Sequence, residues 1–295
     1  DEDKGWRTIT GQTKRDLSPM GQAHMQKVAA YLWESNLLAN RLIELPLAYL
    51  LAEGVTLTCV DPEHQQWLHA FWHDPINRMA IRMPTFAREL ALFGEQCLPA
   101  YINTINGHVR LGYLDPSLIG SVVMDPGNPA QEIGITTVRD ADGAVRRFRV
   151  VVRGEDDEIF AAEARALRAT FDSGDALYFA VNKFAAGRRG RSDLIASMDY
   201  ADAYDEFMFD QMERAGELDA FIWDVTVTGA NEEEVKRRAG EIGRPGRNSV
   251  RVHNEQETWK AEAPDLKAVD RAESARMHRN HLLGGASVPE HFFGG

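Results

Sequence analysis

Two stretches of this chain read as long helices, and they bracket a short segment of mixed character. From Ser192 to Phe221 there is no proline, and Gly216 is the one glycine. At 1.5 Å per residue an unbroken helix over that span would reach about 45 Å. Leu194, Met198, Ala201, Met208, Met212 and Ala215 recur at helical spacing, with Asp205 interrupting. Tyr200, Tyr204 and Phe207 form a second stripe, and Asp199, Asp202, Glu206, Glu213 and Glu217 mark an acidic face. A helix apolar on two stripes needs neighbours on two sides, either elements of its own subunit or a copy of itself. The second stretch opens at Pro264-Asp265 and runs to about Leu283. Between them "FIWDVTVTG" reads as a strand. "NEEEVKRRAGEIG" reads as a short helix capped by Asn231, acids first and bases last, matching the helix dipole. "NSVRVHN" and "TWKAEA" read as two more short strands. Such an insert projects from a body on a stalk of two helices.

Directly ahead of the acidic helix lies "AAGRRGRSDL", in which Arg188, Arg189 and Arg191 sit among two glycines. A loop of this kind cradles phosphate, grips DNA or joins two parts of a larger assembly. The net charge of −12 speaks against a tight general DNA clamp, whose affinity comes from neutralising phosphates. It leaves room for a protein that passes near DNA without holding it. "GRRGRS" lacks the GxxxxGK[ST] pattern, "TGQTK" has only its tail end, and no G-x-G-x-x-G follows a strand. Nucleotide binding therefore has little support.

The rest of the chain mixes helices and strands. "LSPMGQAHMQKVAAYLWESNLLANRLIELPLAYLLAEGV" reads as helix, with Ser18 as cap, Pro19 in the first turn, Pro46 kinking or dividing it and Gly54 ending it. "VTLTCV" reads as a short strand. "DPEHQQWLHAFWHD" reads as a helix capped by Asp61, and "PTFARELALFGEQCL" as another, closed near Gly94 or Pro99. Asn106-Gly107 and Asp142-Gly143 are hairpin signals between strand-forming runs. "EDDEIFAAEARALRATF" reads as helix and "ALYFAV" as a buried strand. With no regular strand–helix alternation, the fold class expected is α+β. The 295 residues suffice for more than one domain. The chain opens on Asp1 and stops at "HFFGG", which reads as a processed or truncated fragment. No stretch has the ~20 apolar residues of a membrane helix.

Chemistry-bearing constellations are few. His69 and His73 share a helix face, with Glu63 and His64 nearby, but Ala70 stands where H-E-x-x-H needs its glutamate. Cys59 and Cys97 have neither metal spacing nor a disulfide framework, which suits a reducing compartment. No nucleophile signature occurs. Lys267, Arg271 and His278 lie along one stripe of the second helix, with Arg276 and Arg279 close by. They either face a polyanion or form a solvated face balanced by Asp270 and Glu273.

Taken in order, several stretches resemble the portal (head–tail connector) proteins of tailed bacteriophages. They are "YLWESNLLANRLIELPLAYLLAEGV", "ELALFGEQCLPAYI" with "VRLGYLDPSLIGSVVMDPGN", "LYFAVNKFAAGRRGRSDL" and "HLLGGASVPEHFFGG". The likeness spans nearly the whole chain. It implies a wing over residues 1–188, a first stem helix with its arginine-rich entry loop over 189–221, a clip over 222–264, a second stem helix over 265–285, and the start of a tunnel and crown region over 286–295. It implies a ring of probably twelve subunits at a unique capsid vertex, assembled in the host cytoplasm and retained in the virion. Double-stranded DNA would pass through it, and the terminase motor would dock on the clip, followed by a head-completion or tail adaptor. Capsid and scaffolding proteins would be further partners. No enzyme activity, cofactor, metal or membrane is implied.

On this resemblance Gly187 and Gly190 permit a reversal between wing and stem. Ser192 caps the stem helix, and Asp193 suits its positive end. Arg188, Arg189 and Arg191 pair with acids on the next subunit's stem. The stem interface would hold Met198, Tyr204, Met208 and Met212. Lys267, Arg271, Arg276, His278 and Arg279 are candidates for the channel wall. Glu232, Glu233, Lys236, Arg237, Arg244 and Arg247 are candidates for the clip's docking face. The competing readings are a monomeric binding module and a metal-dependent enzyme using His69 and His73.

Overall fold

The computed structural model describes residues 16–140, 142–152, 160–217, 222–242, 255–262, 268–286 and 288–292. Two compact units divide it, one of Asp1–Asp202 with Leu282–Gly295, the other of Ala203–His281.

In the first unit Ser18 accepts from the Gly21 N–H and opens α1 (Pro19–Ser35), with Pro19 where a missing N–H costs nothing. The helical run divides at Asn36 rather than at Pro46. Asn36 is extended, at φ −101° and ψ 118°, and its side chain caps α2 (Leu37–Leu51) through the Ala39 N–H. Pro46 is tolerated inside α2. After α3 (Pro62–Trp72) comes α4 (Met79–Phe93), which Gly94 closes at φ +77°. Glu44 of α2 binds Arg88 of α4 and the Trp33 indole N–H of α1, which ties these three helices into one layer.

The sheet of this unit has six strands in the order β2-β1-β6-β5-β4-β3. They are β1 (Glu95–Ile102), β2 (Val109–Leu111), β3 (Ile119–Met124), β4 (Glu132–Thr137), β5 (Arg147–Val150) and β6 (Asp175–Ala180). Neighbours are antiparallel except β5 and β6. Both hairpin signals hold, with Gly107 at φ +69° between β1 and β2 and Gly143 at φ +77° between β4 and β5. Alternation places Phe148 and Val150 of β5 inward, against Cys97, Val122, Ile135 and Ala176. Leu98 packs on the other side with Met79 and Phe86 of α4. The short α5 (Ala162–Arg168) lies over Ile133 through Ala164.

Three readings need correction here. The segment "VTLTCV" forms no strand, because no neighbouring strand reaches it among the described residues; its backbone bonds to the Gln65 side chain instead. β6 is half-buried rather than buried. The long helix α6 (Met198–Glu217) starts six residues after Ser192, since residues 193–197 form turns.

The second unit holds β7 (Ile222–Val227) paired antiparallel with β8 (Glu257–Glu262), and α7 (Glu232–Glu241). Asn231 and Glu234 form a reciprocal capping box at the start of α7. Arg238 grips the Glu257 carboxylate with two nitrogens, which holds α7 to β8. The last long helix, α8 (Ala268–Gly285), supplies His278, whose ring lies 5.6 Å from that of Phe207 on α6. "NSVRVHN", Arg244, Arg247 and Lys267 lie outside the described residues, as does the Arg271 side chain.

Candidate functional site

The arginine turn is folded around a carboxylate of its own subunit. The Arg188 and Arg189 backbone N–H groups both point at Asp16 Oδ1, at 2.7 and 3.3 Å. A pair of adjacent N–H groups aimed at one oxygen is the arrangement that binds a phosphate elsewhere. Here a side-chain carboxylate fills it, so the turn is not an open phosphate cradle.

The Arg189 side chain turns inward. Its Nε donates to Glu95 Oε2 at 2.7 Å and its Nη2 to Glu95 Oε1 at 2.5 Å. Its Nη1 donates to the Ile119 carbonyl at 2.9 Å. Glu95 is fully buried, with 0% exposure, at the first position of β1. It also accepts from Gln26 Nε2 at 3.0 Å and from the Tyr178 hydroxyl at 3.0 Å. Gln22 Nε2 donates to the Gly190 carbonyl at 2.9 Å. This cluster fastens α1, β1, β6 and the turn together. A two-pronged charged pair saturated in this way is strong where water is excluded, because each lone pair has a donor. The expectation that Arg189 pairs with an acid of the next subunit is thereby corrected: its guanidinium is spent on Glu95. Burial and the adjacent Glu95 charge push the Tyr178 hydroxyl well above the usual phenol range, which keeps it a donor.

The glycines serve close approach rather than reversal. Neither Gly187 nor Gly190 has positive φ; Asn182 does, at +54°. A Cβ on Gly190 would lie 1.7 Å from the Gly94 carbonyl oxygen, and one on Gly94 would lie 2.2 Å from the Arg191 nitrogen. The two backbones cross with no room for a side chain. The crossing is tied by Val181 N–H to Gly94 O, Arg191 N–H to Val181 O and Asp193 N–H to Ala91 O. Ser192 is buried here and its hydroxyl accepts from the Leu194 N–H, which makes a turn rather than a helix cap. The Asp193 carboxylate meets the Asn182 amide instead of a helix end.

Of the three arginines, Arg191 lies over the Phe184 ring at 5.4 Å. Arg188 alone points to solvent, beside a cavity of about 430 Å³ along β3.

The first of the two apolar stripes read along the first long helix divides into two parts. Leu194 and Ala201 are buried at 1% exposure. Met208 and Met212 are exposed at 37% and 67%, with Phe209 beside them at 67%. Met198 and Tyr204 are half-buried. On α8, Arg276 and His278 are exposed and Arg279 is half-buried. On α7, Glu232, Glu233, Lys236 and Arg237 are all exposed, with Lys236 bridged to Glu232.

The His69 and His73 rings stack at 4.0 Å, and His73 Nδ1 bonds the His69 carbonyl at 2.9 Å. Among the described residues no group of three metal-ligating side chains occurs. The buried Cys97 thiol is pushed up to about 12 by burial and by the Glu95 charge. Thiols react as thiolates, so Cys97 is expected to stay unmodified by maleimide in the folded protein while exposed Cys59 is labelled. Mass spectrometry of the labelled protein before and after unfolding checks this, with one adduct expected native and two unfolded.

Sequence reasoning missed Asp16, Gln22, Gln26 and Glu95. The signals available were two glutamines four apart on the otherwise apolar Met25–Ala29–Leu32 face of α1, and a lone acid opening an apolar strand.

No protein-family model matches this chain, and no curated protein matches it in sequence. Solved structures do match it in fold. A chain of "Neck of native GTA particle computed with C12 symmetry" aligns with 94% of this chain and 71% of its own length, at TM-score 0.58 and 14% identity. A chain of the virion of the native gene transfer agent (GTA) particle aligns with 92% of this chain and 69% of its own, at TM-score 0.57 and 14% identity. The neck of the empty GTA particle, computed with C6 symmetry, gives 90% and 70%, at TM-score 0.57 and 16% identity. The likeness is one of fold. It bears out the α+β class.

Proposed function

We propose that this chain is the subunit of a head–tail connector ring in a phage-like particle. The observation that carries the reading is its fold similarity, over 94% of its length, to a chain from a particle neck computed with C12 symmetry. The ordered portal-like stretches of the sequence support it independently. In this reading α6 and α8 are the stem, residues 222–264 the clip and the six-stranded unit the wing. The exposed Met208, Phe209 and Met212 on α6 are apolar side chains suited to a neighbouring subunit's stem. A negatively charged wall lets DNA slide instead of sticking, in keeping with the net charge of −12. The channel candidates are Lys267, Arg271, Arg276, His278 and Arg279. The candidates for docking a terminase motor and then an adaptor are Glu232, Glu233, Lys236, Arg237, Arg244 and Arg247. The ring would sit at the particle vertex and hydrolyse nothing.

Met208→Asp places a charge in the stem seam. An uncompensated buried charge costs several kcal/mol at each subunit contact. In sedimentation velocity the wild-type chain is expected as a particle of many subunits and the variant as a monomer with unchanged circular dichroism. A variant that keeps the wild-type sedimentation removes Met208 from the seam.

A further inference from the structure

The two edges of the six-stranded sheet are finished differently. At the β2 edge, the buried Asn77 side chain stands in for a strand: its Nδ2 donates to Val109 O at 2.9 Å and its Oδ1 accepts from Leu111 N–H at 3.1 Å. Arg82 adds a bond to Leu111 O. At the other edge, β3 has β4 as its one strand neighbour among the described residues, and Arg189 Nη1 takes only its first carbonyl, Ile119 O, leaving the edge open from Ser121 onward. The cavity of about 430 Å³ there is lined by Ser121, Val122, Val123 and Met124 in succession, with Pro126 and Arg188. Successive strand side chains point to opposite faces, so a cavity touching four in a row runs along the backbone edge itself. Among the described residues no backbone group occupies it. An unpaired edge is a template for another strand.

The same chain carries a strand-forming segment with no strand to join. Val55–Val60, "VTLTCV", alternates β-branched residues yet pairs with nothing in the described unit. Its backbone is bonded along one side only. Gln65 Nε2 donates to Leu57 O at 3.1 Å, and Gln65 Oε1 accepts from Cys59 N–H at 2.7 Å. This is the Asn77 arrangement again, one amide bridging a carbonyl and the N–H two residues on. By strand alternation the backbone groups of Thr56 and Thr58 then face the opposite side, where no described group takes them up. Val60 is fully exposed at 102%.

We infer that Val55–Val60 of one copy pairs with the β3 edge of the next. The inference rests on the ring reading, of which it names one seam. Donor and acceptor lie on different parts of the chain, so the contact is head-to-tail and repeats around a closed ring. Main-chain bonds supply the attachment, as in other strand additions. Charge fits as well: Glu53, exposed just ahead of the segment, is the carboxylate for the solvent-facing Arg188 guanidinium beside the β3 cavity.

Native Cys59 makes the test direct, since Cys97 is buried. Ser121→Cys places a second exposed thiol on β3. A short bis-maleimide spans both directly opposite and diagonal strand neighbours. The Ser121→Cys variant is treated at native assembly, its solution mass is measured in parallel, and the products are resolved under denaturing conditions. The expected result is a ladder of covalent species beyond the dimer, absent from the Cys59-only wild type. Ring-sized particles without a ladder overturn the pairing and leave the ring standing. A monomeric mass overturns both, and products that stop at the dimer overturn the head-to-tail pairing. Thr58→Pro removes one N–H from the open side and touches no bond within the subunit. It is expected to weaken assembly about tenfold per seam, whereas Thr56→Ala leaves it unchanged. Equal assembly of Thr58→Pro and wild type contradicts the pairing.

Discussion

Arg189→Ala is expected to lower the stability of the six-stranded unit by about 3–5 kcal/mol, because it leaves a buried carboxylate without its counter-charge. Glu95 has 0% exposure, so water cannot replace the guanidinium. The neutral donors that remain, Gln26 and the Tyr178 hydroxyl, solvate the charge only in part. Arg189→Lys recovers little, since a point-like ammonium cannot make both prongs and reach the Ile119 carbonyl. Apolar replacement of both partners restores less than at an ordinary buried pair, because Gln26 would lose its acceptor. Chemical denaturation followed by circular dichroism measures the effect. A loss under about 1 kcal/mol would mean that the cluster is open to water.

A comparable or larger effect is expected from one methyl group at Gly190. Its Cβ would stand 1.7 Å from the Gly94 carbonyl oxygen, and the obstacle is backbone on both sides. No rotamer change relieves such an overlap. The Val181–Gly94 and Arg191–Val181 hydrogen bonds must break for the strands to separate. Gly190→Ala is therefore expected to cost more than about 4 kcal/mol, in the range reserved for lost backbone geometry. Gly187→Ala is the milder control: Gly187 is buried too, but its Cβ would meet the Phe184 carbonyl at 3.1 Å, where a shift of a few tenths of an ångström suffices. Soluble yield and thermal midpoint of the two variants, measured side by side, check the contrast. Equal midpoints would contradict the crossing.

What the sequence revealed was what local chemistry decides. Ser18, Asp61 and Asn231 announce helix starts because a cap needs only the next three residues. Asn106-Gly107 and Asp142-Gly143 announce their hairpins for the same reason. The arginine turn was legible as a junction but not in its wiring. Arg189 and Glu95 are 94 residues apart, and no pattern in either neighbourhood selects the partner. "VTLTCV" reads as a strand because its residues favour one, but a strand exists only where an edge meets it. On the first long helix, one of the two apolar stripes has residues with two destinations. Leu194 and Ala201 are buried, while Met208 and Met212 remain exposed. Periodicity reports that a face is apolar, not what covers it.

The ring is the central claim, and mass is its most direct measure. Purified chain, examined by light scattering with negative-stain images of the same sample, is expected to give a particle of roughly a dozen subunits with a central hole, the closed cyclic assembly that a head-to-tail interface generates. A monodisperse monomer at micromolar concentration, with no ring in the images, would contradict it.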